Sequence, residues 1–147
     1  MKLVIQRVKK SSVSVNDQIV GQIDQGLCVL TGIAPSDTEK DLDWMAQKLV
    51  GLRIFEDVNG KMNLSLADIG GSALIISQFT LLADCVKGRR PSFTGAGDPV
   101  YAEKLYQLFL KKVSDLDIHV EHGIFGADMQ VLIENDGPVT FILESPK

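Results

Sequence analysis

Only two stretches of this chain repeat apolar residues at helical spacing, and most of what lies between them is short runs of β character cut by turn residues. A chain patterned this way must cover one apolar sheet face with a few amphipathic helices. The first helical stretch spans residues 37–51, where Leu42, Met45, Ala46, Leu49 and Val50 recur on one face. Ser36-Asp37-Thr38-Glu39 precedes it with the spacing of a capping box. The second opens at Asp98-Pro99, with aspartate as N-cap and proline as first helical residue. Its apolar stripe is Val100, Leu105, Leu108, Phe109 and Val113.

The β segments follow from alternation and turn chemistry. Residues 2–8 read as a strand with Val4 and Val8 on one face and Leu3 and Ile5 on the other. A hairpin follows, from Val13 and Val15 through a turn at Asn16-Asp17 to Ile19–Ile23. Gly26 to Ala34 is an apolar run of the buried-strand type, and Arg53 to Asp57 is a strand leading to a tight turn at Asn59-Gly60. Ser72 to Leu82 is a further apolar strand. Three strands close the chain, Ile118–Glu121, Met129–Glu134 and Val139–Glu144, the last two joined by Asn135-Asp136-Gly137-Pro138. The expected class is α+β: a mostly antiparallel sheet or barrel-like sandwich with two packed helices, as one domain over residues 1–147.

A chain of 147 residues, 45% hydrophobic and 23% charged, has an ordinary globular composition. At this size about two-thirds of the unfolded surface can be buried, so neither metal nor disulfide is needed to fold. No apolar run reaches the roughly 18 residues of a membrane span. The first residues turn polar at once, unlike a signal or transit peptide. Cys28 and Cys85 stand far apart, which fits a reducing cytoplasm. The net charge of −4 does not suit a general nucleic-acid binder. Local patches at Lys9-Lys10 and Lys87-Gly88-Arg89-Arg90 can still hold phosphates, although charge alone makes them solvated loop faces.

Familiar catalytic machinery is missing: no HExxH, Walker loop, GxSxG or GxGxxG occurs. His119 and His122 lie three apart in an expected strand and point to opposite faces, so no shared metal is expected. The carboxylate pairs Asp41/Asp43 and Asp115/Asp117 read as solvated helix charges. Two segments remain. Ser77-Gln78-Phe79-Thr80 ends the apolar run Ala73-Leu74-Ile75-Ile76, and polar groups there must be hydrogen-bonded or functional. Strand alternation puts Gln78 and Thr80 on one face and Ser77 and Phe79 on the other. Gly137-Pro138 falls between two β segments, where proline cannot donate to a ladder, so it marks a bend, an edge or a hairpin turn.

Taken together, these segments resemble the D-aminoacyl-tRNA deacylase family, also called D-tyrosyl-tRNA deacylases. The resemblance runs essentially end to end, through Ile5-Gln6-Arg7-Val8, Arg53-Ile54-Phe55-Glu56-Asp57, Lys87-Gly88-Arg89-Arg90-Pro91-Ser92-Phe93 and Gly123-Ile124-Phe125-Gly126-Ala127-Asp128-Met129. Its two diagnostic motifs are Ser77-Gln78-Phe79-Thr80-Leu81 and Asn135-Asp136-Gly137-Pro138-Val139-Thr140. The resemblance implies a β-rich homodimer with active sites at the subunit interface. It implies a cis bond between Gly137 and Pro138, reaching from one subunit into the other's site, with Arg7 fixing its orientation. Ser77, Gln78, Phe79 and Thr80 are implied to line the opposite side, and Phe125 to lie by the terminal adenosine. No metal or cofactor is implied.

The implied reaction is hydrolysis of the ester between a D-amino acid and the terminal ribose of tRNA. Thr80 is the obvious side-chain nucleophile, but a threonine hydroxyl needs an activating base and the sequence supplies none nearby. The N–H groups of Phe79 and Thr80 can instead act as oxyanion donors, with the vicinal ribose hydroxyl activating water. Two rival classes stay open: a non-catalytic nucleic-acid-binding protein on the same fold, and a small-molecule esterase or amidase using Thr80.

Overall fold

The computed structural model describes residues 1–146. Its spine is β1, Lys2–Val15, a single strand that continues through the expected break after residue 8. Along one edge its first half pairs antiparallel with β3, Gly26–Gly32, and its second half with β2, Gln18–Ile23. Along the other edge it pairs with β8, Gln130–Glu144. The β1–β2 turn sits at Asn16-Asp17 as expected, both residues at positive φ. Lys9 is an extra residue between the Val8–Asn135 and Lys10–Glu134 pairs. Such a bulge reverses the alternation. Val8 and Val13, an odd number of positions apart, therefore enter the same core.

The sheet continues from β3 to β6, Ser72–Ser77, and then to β7, His119–His122, both in parallel pairing. The sheet is mostly antiparallel, as the turn-rich sequence suggested, with parallel pairing at β3–β6 and β6–β7. Its far edges β2 and β7 nearly meet: a methyl group on Gly21 would lie 2.6 Å from the His122 carbonyl oxygen. The result is an almost closed, barrel-like sheet. A small hairpin, β4 Phe55–Glu56 and β5 Met62–Leu64, turns at Gly60 with φ +73°. The strand expected over 53–57 is shorter because Arg53 and Asp57 spend their polar groups on loop contacts: Arg53 Nε donates to Asn63 O at 2.8 Å, and Asp57 Oδ1 accepts from Asn59 N at 2.8 Å.

β6 is buried on both faces. Ala73 and Ile75 pack in the core beneath the helices, whereas Leu74 and Ile76 pack in a second core with Val8, Val13 and Cys28. A strand covered on both sides reads as a continuous apolar run. Helices α1, Glu39–Gly51, and α2, Pro99–Ser114, cover the first face. The α1 stripe is buried as expected, but its capping box is Thr38 with Asp41. Ser36 is exposed, and the buried carboxylate of Asp37 instead takes the Met1 ammonium and the Ala34 N–H. In α2 the Asp98 cap accepts from Tyr101 N at 3.1 Å. Leu105, Phe109 and Val113 are buried, but Val100 is 79% exposed. Ala102 and Tyr106 complete the stripe instead. No described helix is long and apolar enough to cross a membrane.

Candidate functional site

The apolar run Ala73–Ile76 carries β6 through both cores and delivers Ser77 to the surface. There Gln78 N donates to Thr31 O at 2.7 Å, and the chain tightens into a 3-10 turn, Phe79–Leu82. The strand expected to reach Leu82 therefore stops at Ser77. Strand alternation does not govern Gln78, Phe79 and Thr80, because a 3-10 turn places about three residues per revolution. The side chains of Gln78 and Thr80 meet all the same, through a hydrogen bond from Gln78 Nε2 to Thr80 Oγ1 at 2.5 Å. No hydrogen bond from the N–H of Phe79 or Thr80 occurs among the described residues.

Two cavities of about 330 and 270 Å³ adjoin along this turn, and Ser77, Gln78, Phe79, Phe125 and Gly126 line both. The walls are aromatic. Phe79 meets Phe93 edge-on at 5.2 Å between ring centroids, and Phe125 meets Tyr106 at 5.8 Å. Tyr106 O–H donates to Ile75 O at 2.7 Å, and burial pushes its hydroxyl well above the usual phenol range. It stays protonated and structural. Thr31 Oγ1, on the wall of the 330 Å³ cavity, is a buried polar atom with no hydrogen-bond partner among the described residues. In the sequence its signal was a lone hydroxyl within the apolar run 26–34. A broader groove of about 610 Å³ runs over β1, β2 and β8, with Lys10, Gln22, Leu132 and Glu134 on its walls. It takes Lys10 from the first basic patch and no residue of the Ser77–Thr80 or Gly137-Pro138 segments.

Gly137 and Pro138 are not a hairpin turn between two strands. They lie inside β8, which runs past them without reversing. Gln6 pairs with Thr140 and Val8 with Asn135, so Asp136–Val139 stand opposite Arg7 alone. The excess residues leave the ladder as a looped bulge within β8, with Gly137 and Pro138 exposed on it and Val139 buried. The Gly137–Pro138 peptide bond is cis, and Gly137 has φ +139°. Arg7, 5% exposed, supports the loop from beneath. Its Nε donates to Asp136 O at 2.9 Å and its Nη1 to Ile54 O at 2.8 Å. Asn135, which carried no assigned role, grips the other flank: its Oδ1 accepts from Val139 N at 2.7 Å.

Ser77, Gln78, Phe79 and Phe125 are therefore brought together, with Thr80 exposed beside them. Arg7 and Asp136 border a separate cavity of about 180 Å³. None of these three cavities takes residues from both motifs. Lys87, Arg89 and Arg90 are exposed on a loop whose base is closed by paired Asp84–Ser92 backbone bonds of 2.8 and 2.9 Å.

A family model described as D-Tyr-tRNA(Tyr) deacylase matches residues 4–144. A relative from Desulfatibacillum aliphaticivorans, named D-aminoacyl-tRNA deacylase, is 58% identical over 99% of each chain. Another of that name from Fervidobacterium nodosum is 55% identical over 100% of this chain and 99% of its own. Among solved structures, one titled c-Myc DNA Unwinding Element Binding Protein superposes with a TM-score of 0.94 at 43% identity, covering all of both chains. A probable eukaryotic D-amino acid tRNA deacylase superposes at 0.83 over 97% of each chain and, at 21% identity, speaks for the fold alone. A match of this length, with relatives of this identity aligned end to end, makes the chain a member of the D-Tyr-tRNA(Tyr) deacylase family of enzymes.

Proposed function

We propose that the protein is a cytoplasmic hydrolase that cleaves the ester of D-aminoacyl-tRNA, releasing free D-amino acid and tRNA, and rejects L-aminoacyl-tRNA by steric exclusion. The full-length relatives named for that activity carry this reading. Ser77, Gln78, Phe79 and Thr80 form the face on which the ester lies, and Phe125 flanks the terminal adenosine. The free N–H groups of Phe79 and Thr80 receive the developing oxyanion. Water attacks the carbonyl carbon, the bond to the ribose oxygen breaks, and that oxygen leaves protonated. The neighbouring ribose hydroxyl orients or activates the water, because the Thr80 hydroxyl meets the Gln78 amide, which is not a base.

Chirality is read by the partner subunit of a homodimer. Gly137 and Pro138 reach from one protomer into the site of the other, held by Arg7 in their own chain. Their exposure, their separation from Ser77–Thr80 within one chain, and the exposed Leu132, Phe141 and Ile142 on the same strand all support this arrangement. D- and L-amino acids carry the same groups at Cα and differ in where two of them point. A rigid main-chain carbonyl placed where the L side chain would go rejects L substrates without reading the D side chain. Parallel deacylation of D-Tyr-, Gly- and L-Tyr-tRNA under single turnover tests the proposal. The rates should rank in that order, with glycyl-tRNA well above L-Tyr-tRNA, because glycine has no side chain to clash. Glycyl-tRNA as inert as the L substrate would mean that the site recognises the D side chain directly.

The neighbour titled as a DNA-element binding protein favours a second reading, non-catalytic nucleic-acid binding. The net charge of −4 speaks against it, and absence of any deacylation in the same assay would decide for it. Under the first reading, Lys87, Arg89 and Arg90 contact tRNA phosphates. Replacing all three with alanine should weaken tRNA binding and lower the slope of log K against log salt by about two to three units. An unchanged slope would return the loop to a solvated surface.

A further inference from the structure

We propose that Asn135 is a positioning residue for chiral discrimination, clamping the loop that carries Gly137 and Pro138; this rests on the reading of that pair as the stereochemical gate. The ladder itself does not hold the loop, since β1 offers only Arg7 opposite Asp136–Val139. Replacement contacts come from two side chains. Arg7 takes the Asp136 carbonyl where the loop begins. Asn135 takes both main-chain groups of Val139 where it ends: Oδ1 accepts from Val139 N at 2.7 Å and Nδ2 donates to Val139 O at 3.3 Å. The same Nδ2 donates to Thr140 Oγ1 at 3.1 Å, and Gln6 Nε2 donates to that oxygen at 3.3 Å.

The Asn135 amide thus mimics a missing β rung, with a donor and an acceptor meeting an acceptor and a donor. No other standard side chain of this length presents both. Aspartate lacks the donor, and leucine lacks both groups. The clamp is tied through Thr140 to Gln6 on β1, so the loop is referenced to the spine of the sheet. Gly137 lies one residue from Asp136 and Pro138 one from Val139, which leaves the pair no slack while both clamps hold. A gate that works by collision must be stiff, because a loop that yields by an ångström admits the substrate it should refuse.

The test is single-turnover deacylation of D-Tyr-tRNA and L-Tyr-tRNA by Asn135→Ala, Asn135→Asp and Thr140→Val, with thermal unfolding of each. Asn135→Ala should lower the D-over-L rate ratio by about tenfold or more, the scale expected for losing several hydrogen bonds at once. Asn135→Asp keeps the Val139 N–H contact and should fall between. Thr140→Val removes one anchor of the amide and leaves the backbone contacts, so it reports on the clamp if Asn135→Ala does not fold. A merely structural asparagine would lower the unfolding temperature and both rates together, with the ratio unmoved, and that result overturns the proposal. Gly137→Ala is measured alongside. If it changes the ratio and the Asn135 and Thr140 variants do not, the clamp alone fails. If Gly137→Ala also leaves the ratio unchanged, the gate reading itself fails.

Discussion

Gly137→Ala is expected to lower single-turnover deacylation of D-tyrosyl-tRNA by about a hundredfold, the cost when a shifted loop displaces the bound aminoacyl group by roughly an ångström. The reason lies in the loop. At φ +139° an L side chain is strained whatever the space around it. A methyl group there would also meet Val139 Cγ2 at 2.6 Å, Val139 N at 3.1 Å and Arg7 Nη2 at 3.2 Å. The loop must move, and Arg7, buried and tied to Ile54, has little room to follow. The fold should survive, because the strain falls on an exposed segment and costs about 1–3 kcal/mol. If the loop acts across subunits, Gly137→Ala chains should be rescued by chains whose own site is blocked, for example by Ser77→Phe. Random mixing makes half the dimers mixed with one intact site each, so about a quarter of wild-type sites should return in a two-fold symmetric dimer. No rescue would place the loop in its own chain's site, and an unaffected D-substrate rate would remove it from the site altogether.

The second large effect belongs to the substrate. A terminal ribose lacking the vicinal hydroxyl should be deacylated about a hundredfold more slowly or worse, the low end for loss of general acid–base assistance. Thr80→Ala should lose less than about tenfold, the scale of one ordinary hydrogen bond. Thr80 Oγ1 is met by the Gln78 side-chain amide, which is not a base in either orientation. His119 and His122 stand on β7, beside β6 residues 72–75 and away from the turn. A dead Thr80→Ala enzyme with its fold intact, together with normal rates on the deoxy substrate, would make Thr80 the nucleophile.

How much of this was legible beforehand depended on whether a feature was local. The α1 and α2 stripes and the Asp98-Pro99 start came through because helical spacing and cap chemistry act within a few residues. The run Ala73–Ile76 marked a buried strand but not its partners, and its parallel neighbours β3 and β7 come from distant sequence. Strand alternation would carry through Gln78 and Thr80, yet the strand ends at Ser77 and a 3-10 turn starts at Phe79, with Gln78 N bonded to Thr31 O at the end of β3. Asn135-Asp136-Gly137-Pro138 has the composition of a hairpin turn, and the sequence alone leaves it a bend, an edge or such a turn. Only the register against β1 reveals that β8 continues past it. Of the residues singled out, Ser77–Phe79 and Phe125 line the same two cavities within the chain, and Gly137 and Pro138 do not join them there.

The double burial of β6 has a consequence for motion. Amide protons of Ile75 and Ile76 sit between two cores and should exchange with solvent only when the whole molecule opens, whereas those of residues 85–91 should exchange through local fraying. Ser77–Thr80 lies on the boundary between these two regimes, cantilevered from the most protected strand. The turn therefore shares the stability of the strand that carries it, while the neighbouring basic loop can open without disturbing either core.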